Sequence, residues 1–251
     1  YAEYYGYEFY SGCSDYYYDF YPTADGMLTE SGKIKGKYTG WAAYANVGFD
    51  ITERLNVELG VRYTEDKKDF GTLVAEPDSY LGPYFTYGFS TDEYITDTQK
   101  WDDTTFRGLV TYAPTENSMI FASYTQGFKS GGYGSFWIED TNGNVPAYET
   151  GITQSSGYLP GTFEPETADS YEIGFKTNYL NGRGSFDVIF FMYEYQDMQV
   201  INYVDVDYDD DGVADAFSGR VLNVGQTDGE GVELSTTVAL NDHWTLYLAG
   251  G

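Results

Sequence analysis

Apolar and polar residues alternate through seven segments of this chain and the start of an eighth, and the connections between them are by turns very short and very long. In one segment Leu55, Val57, Leu59, Val61 and Tyr63 interleave with Asn56, Glu58, Gly60, Arg62 and Thr64. Side chains two apart in a strand share a face, so such a strand is oily on one side and hydrophilic on the other. A soluble β-sandwich would show the same alternation with its apolar face turned inward. Loop rhythm and aromatic placement must separate the two.

The chain has 251 residues, yet no stretch approaches the roughly 20 apolar residues of a spanning helix. Strand formers dominate, with 28 Tyr, 16 Phe and 4 Trp, and 30 Gly serve turns and close backbone approach. Cys13 is the only cysteine, so it is either free or paired with a residue outside the chain. The start at Tyr1-Ala2-Glu3 shows no signal sequence, and Leu248-Ala249-Gly250-Gly251 ends inside a strand pattern. The expectation is a piece of a longer protein whose remainder supplies neighbouring strands, because a membrane does not tolerate an open sheet edge.

Residues 1–36 form a Tyr- and acid-rich segment, expected to be a surface loop, and 37–251 the strand-bearing part. The first strand puts Trp41, Ala43, Ala45, Val47 and Phe49 on one face, and Thr52-Glu53-Arg54 turns it into the strand at 55–68. Strands at 101–113 and 118–128 flank Pro114-Thr115-Glu116-Asn117, and strands at 168–180 and 185–200 flank Asn181-Gly182-Arg183-Gly184. Asn-Gly readily takes the positive φ that tight hairpin turns require. The faces of 185–200 stay unassigned because Phe190, Phe191, Met192 and Tyr193 are contiguous. A strand at 220–240 leads through Asn241-Asp242-His243 to a last strand opening at Trp244. Long loops are expected at about 71–98, 129–163 and 201–219.

Tight turns at one end and long loops at the other are the arrangement of outer-membrane barrels. Trp41, Tyr63, Tyr112, Tyr124, Tyr171, Tyr179 and Trp244 are placed to form the aromatic girdles of such a barrel. The expected fold is all-β, an antiparallel transmembrane β-barrel segment of about eight strands. Glu58, Arg62, Arg107, Glu172, Lys176 and Glu233 fall on the hydrophilic faces. A lipid-facing Arg or Lys near the midplane costs about 2–4 kcal/mol, so these six are expected to face the lumen.

Four stretches resemble the C-terminal barrel of TonB-dependent outer-membrane receptors. They are Leu59-Gly60-Val61-Arg62-Tyr63-Thr64-Glu65-Asp66-Lys67-Lys68, the run from Phe121 to Gly132, the run from Phe163 through Tyr171 to Lys176, and Gly229-Glu230-Gly231-Val232-Glu233-Leu234. Their order and spacing agree with the family over roughly residues 40 to 251. The resemblance implies a 22-stranded barrel in a Gram-negative outer membrane, surrounded by lipid and lipopolysaccharide and filled by a plug that this chain lacks. It also implies energy-coupled import of a scarce small-molecule nutrient, a ferric siderophore, cobalamin or oligosaccharide, with energy from the TonB complex.

Forty acidic residues against 13 basic ones give a formal charge of −27. Nucleic acid is excluded as a partner, since phosphate binding needs a basic surface. Most of the acidity is expected to serve solvation. Asp205 to Asp215 carries the D-x-D-x-D-G spacing of calcium loops, with Asp207, Asp209, Asp211, the Val213 carbonyl and Asp215 as would-be Ca²⁺ ligands. Ser218 stands where a high-affinity site has a bidentate Glu, so the affinity expected is weak.

No enzyme is expected: the single His243 sits in a short turn, and neither a nucleophile elbow nor a phosphate loop is present. Tyr84 and Tyr87 in one long loop, and Tyr133, Phe136, Trp137, Tyr148 and Tyr158 in another, are the candidates for stacking on a ligand, or alternatively for packing the loops together. A non-transporting barrel, whose acidic aromatic loops serve surface binding or calcium-dependent assembly, is the alternative to the importer.

Overall fold

The computed structural model describes residues 31–75, 90–142, 152–153, 157–206, 213 and 216–251. The strands are β1 (Ser31–Thr52), β2 (Leu55–Ala75), β3 (Ser90–Thr91), β4 (Ile95–Thr115), β5 (Ser118–Lys129), β6 (Gly132–Asp140), β7 (Ile152–Thr153), β8 (Tyr158–Phe163), β9 (Glu166–Tyr179), β10 (Gly184–Gln196), β11 (Met198–Val206), β12 (Ala216–Val224), β13 (Thr227–Asn241) and β14 (Trp244–Gly250). Eight of them form one sheet in the order β1-β2-β4-β5-β9-β10-β13-β14, every neighbour antiparallel. This is an up-and-down meander whose edge strands β1 and β14 do not pair with each other among the described residues.

The antiparallel order puts four tight turns together at one end, and local chemistry shapes them. Thr52 Oγ1 accepts from the backbone N–H of Arg54 and Leu55 at 3.2 and 3.0 Å, and Asn241 Oδ1 accepts from those of His243 and Trp244 at 2.9 and 3.0 Å. Between β9 and β10, Leu180, Asn181 and Gly182 all take positive φ, of 52°, 55° and 83°. Only Gly does so without steric cost.

Register settles which residues share a face. Leu59 sits opposite Val47 and Gly108, Val57 opposite Val110, Ile173 opposite Ala122 and Phe190, and Val188 opposite Leu234. These form a continuous apolar outer face on which Leu59 is 55%, Ile173 54% and Phe190 55% exposed, with no layer over it among the described residues. The contiguous run at 190–193 divides, with Phe190 and Met192 outside and Phe191 and Tyr193 on the opposite face. Outer-face aromatics pair across strands, Trp41 with Tyr63 (centroids 5.2 Å) and Tyr124 with Tyr171 (5.0 Å).

The other face is polar and carries all six expected charges. Glu58 is opposite Leu109, which is opposite Ser123, which is opposite Glu172, while Arg107 is opposite Gly60. Arg62 lies two residues from Gly60 on β2; Lys176 is opposite Asp187, and Glu233 opposite Ile189, on the same face. Large rings here lie over glycines: a Cβ on Gly174 would meet the Phe121 ring at 2.3 Å, and one on Gly231 the Phe191 ring at 2.5 Å.

Strand structure extends well into the expected loops. Residues 31–36, 71–75 and 95–98 are strand, because β1, β2 and β4 run on past the aromatic pairs for ten or so residues. A membrane needs only about 9–11 residues per strand, and beyond it the outer face no longer has to be apolar. The span expected as a loop at 129–163 carries the β6–β8 hairpin, and that at 201–219 carries most of the β11–β12 hairpin. The latter continues β10 and β13 past a break at Asp197, whose φ is 54°. Residues 1–30 lie outside the described residues.

Candidate functional site

At the long-loop end the β6–β8 hairpin folds over the polar face instead of away from it. Lys68, Phe70, Thr72 and Val74 on β2 share a face with Glu58 and Arg62, and Ile95, Asp97 and Trp101 on β4 share one with Arg107. The hairpin packs directly on these residues. Ile138 is completely buried against Val74 and Ile95, with Tyr158 beside them. The Tyr133 ring stacks on Phe70 at 4.8 Å and meets Trp101 edge-on at 6.2 Å, while its hydroxyl donates to Asp97 Oδ2 at 3.1 Å. Burial, and then the Asp97 charge, raise the Tyr133 pKa, so the phenol stays a neutral hydrogen-bond donor.

Glycines make the close approach possible. A Cβ on Gly131 would lie 2.5 Å from both the Phe163 carbonyl oxygen and the Trp101 ring. Because one of these atoms is backbone, a side-chain rotation cannot relieve the clash. Gly131→Ala is expected to weaken hairpin docking by about 1–3 kcal/mol, the usual cost of overpacking. Limited proteolysis of β6–β8 reads this out, and an unchanged cleavage rate would refute it.

Between the hairpin and the strand tops lies an open cleft of about 380 Å³, lined by Tyr38, Asp66, Lys68, Gly132, Tyr133 and Phe163. Lys68 is its cationic centre. Its ammonium donates to the Gly131 carbonyl and lies 5.4 Å from the Trp101 ring and 5.9 Å from the Tyr38 ring. Burial lowers the Lys68 pKa, the nearby Asp66 opposes that shift, and Lys129 adds to it. A partly desolvated ammonium among rings suits an anion, or a ligand with its own π face.

A polar knot joins this hairpin to β11–β12. The Asn223 amide donates to the carbonyls of Glu164 and Asp197, both at 2.8 Å, and its oxygen accepts from the Glu164 N–H at 2.7 Å. Gln199 donates to the carbonyls of Ser130 and Glu164 at 3.1 and 3.0 Å. The Arg220 guanidinium lies 4.7 Å over the Trp137 ring.

Of the expected ligand-stacking residues, Tyr133 lines the cleft. Tyr158 packs the small core, and Trp137 packs on Gly161 and under Arg220. Phe136 lies in β6 with its side chain outside the described residues, as are Tyr84, Tyr87 and Tyr148. Asp207, Asp209, Asp211 and Asp215 are also outside them, and Val213 is an exposed bend. Among the described residues no group of three or more His, Cys, Asp or Glu could hold a metal ion. Tyr38, Lys68, Trp101 and Phe163 were not singled out as ligand contacts from sequence. The signal was the strand periodicity, which carries the Glu58 and Arg62 face on through Asp66 and Lys68.

An antiparallel meander with an exposed apolar outer face, a charged inner face, and a hairpin folded over that inner face at its long-loop end is the wall of an outer-membrane β-barrel. The family description "TonB dependent receptor-like, beta-barrel" matches residues 1–251, and the chain belongs to that family. It is 28% identical to a hemin receptor of Yersinia pestis over 123 residues, 48% of this chain and 18% of that protein. Among solved structures it is similar to the ferric yersiniabactin uptake receptor FyuA of Yersinia pestis (TM-score 0.60, 18% identity, 92% of this chain and 28% of that one). It is likewise similar to the ferric-catecholate import receptor Fiu of E. coli K12 (TM-score 0.56, 18% identity, 86% and 28%). The chain thus spans less than a third of the length of each of these relatives. The family places it in the Gram-negative outer membrane, with the short turns periplasmic and the cleft at the cell surface.

Proposed function

We propose that the chain is part of the wall of an energy-coupled importer and that the cleft at Lys68 contacts the nutrient, an anionic, ring-bearing ferric siderophore. The observation that carries this is the inward fold of β6–β8, which brings one ammonium and the rings of Tyr38, Tyr133 and Phe163 around a single opening above the lumen face. Rigid rings supply contact area at low entropic cost, and a half-desolvated lysine favours a negatively charged chelate over a neutral oligosaccharide. The family and the ferric-siderophore receptors it resembles in fold support the class of cargo. Haem, suggested by the Yersinia relative, is the second reading. A plug and the TonB complex belong to this reading as partners of the whole receptor. The calcium loop at 205–218 is a separate proposal that rests on its sequence spacing.

The test is iron uptake by cells whose only receptor is the full-length protein, supplied with ferric catecholate, ferric hydroxamate or haemin. Lys68→Ala and Tyr133→Ala should each raise the half-saturating concentration of the preferred ferric chelate about tenfold, equivalent to about 1.4 kcal/mol. Uptake of haemin alone, or of none of the three, would overturn the reading.

A further inference from the structure

The lysines of this acidic chain are not spread evenly. Of its 13 basic residues, five lie on one strip of the outer face. Lys33, Lys35 and Lys37 follow one another at every second position of β1, the same alternation that turns Trp41, Ala43 and Ala45 outward. Lys67 lies on the outward alternation of Val61 and Tyr63 in β2, and directly opposite it is Lys100 of β4. Three carboxylates share the strip, Glu65, Asp69 and Asp102, so it stays net positive in a chain of charge −27.

The height of the strip is set by the aromatics below it. Lys37 and Lys67 each lie four residues beyond an outer-face girdle ring, Trp41 and Tyr63. At about 3.3 Å per residue and a strand tilt of about 40°, they stand roughly 10 Å above the girdle. Girdle rings mark the boundary between hydrocarbon and headgroup, so Lys37, Lys67 and Lys100 are level with headgroup phosphates, and Lys35 and Lys33 stand about 5 and 10 Å higher along β1.

The groups are available to bind. Among the described residues Lys33 and Lys37 make no ion pair within 4 Å. Lys35 lies 4.1 Å over the Tyr94 ring. Lys67 pairs with Asp69 at 3.5 Å and Lys100 with Glu65 at 2.7 Å, but both lysine side chains remain about half exposed. Like charges placed directly opposite across a ladder, as Lys67 and Lys100 are, repel. An anion lying between them and Lys37 removes that repulsion.

We propose that Lys33, Lys35, Lys37, Lys67 and Lys100 form a docking site for the phosphate groups of a phosphorylated glycolipid in the outer leaflet, held against the wall above Trp41 and Tyr63. Juxtamembrane lysine clusters recognise anionic lipid by this electrostatic attraction. The site depends on the outer-membrane position of the wall and not on which nutrient the receptor takes up.

The experiment uses the full-length receptor, extracted from outer membranes in mild detergent, with retained lipopolysaccharide counted per protein by native mass spectrometry. The variant Lys33→Gln/Lys37→Gln/Lys67→Gln should retain at most a third of the wild-type amount, and the corresponding triple arginine variant should retain all of it. If the triple glutamine protein fails to fold, Lys37→Glu, a single change at an exposed position, should lower retention at least twofold. In an exchange assay, enzymatically dephosphorylated lipopolysaccharide should compete at least fivefold less well than the phosphorylated form. Wild-type retention by the glutamine or glutamate variants, or equal competition by the dephosphorylated lipid, would overturn the proposal.

Discussion

Leu59→Arg should destabilise the folded barrel by about 2–4 kcal/mol, whereas Glu58→Arg, one residue away, should change its stability by less than about 1 kcal/mol. Leu59 lies midway along the apolar outer band of β2, opposite Val47 and Gly108, and is 55% exposed. A guanidinium there must shed its water in hydrocarbon or bend toward the headgroups. Glu58 points to the other face, opposite Gly48 and Leu109, where water and opposite charges are available. Urea unfolding of the full-length receptor from lipid vesicles measures the pair. Equal effects at 58 and 59 would mean that the two faces see the same medium, which would rule out the membrane wall. A large effect at 58 with none at 59 would mean that the faces are assigned the wrong way round.

The membrane-spanning part of the fold was legible because lipid enforces one rule on every residue it touches. Period-two alternation survives through 41–49, 55–64 and 168–179, and tight turns fall at 53–54, 116–117, 180–183 and 242–243, within a residue or two of where turn chemistry placed them. Above the membrane that rule lapses. Ser31–Gly36 and Thr96–Gln99 are too polar to read as strand, yet they pair in register with β2 because the ladder is already set below them. The β6–β8 hairpin was hidden for another reason. Its packing depends on Gly131, Gly132, Gly134 and Gly161, which allow rings from distant segments to lie against the backbone, and a glycine in a single sequence does not tell which ring it receives.

Site residues divide along the same line. Glu58, Arg62, Arg107, Glu172, Lys176 and Glu233 share one face because local alternation determines a face. Tyr133 was legible as an aromatic in a long loop, but Trp137 and Tyr158, chosen on the same grounds, pack inward. Composition cannot tell a ring that waits for a ligand from a ring that holds a hairpin down. Lys68 is the converse case: its position in the cleft depends on Gly131, 63 residues away, whose carbonyl it holds.

That the hairpin is held down by a small buried core gives the other large effect. Ile138 is fully buried against Val74 and Ile95, which are 1% and 2% exposed. Ile138→Val should cost only about 0.5–1.5 kcal/mol. Ile138→Asp puts a carboxylate where the surrounding side chains are apolar, and a penalty above about 4 kcal/mol is expected. The chain escapes that penalty by undocking β6–β8, not by unfolding the sheet, since β9 and β10 below it are held by their own ladders on both sides. Hydrogen exchange should therefore show amides 132–140 and 158–163 losing protection while those of 170–178 and 185–194 keep theirs, and the proposed uptake of a ferric chelate should fall with them. Exchange unchanged in β6 and β8 would show that the hairpin does not depend on this core. Loss of protection throughout β9 and β10 would show that wall and hairpin fold as one cooperative unit.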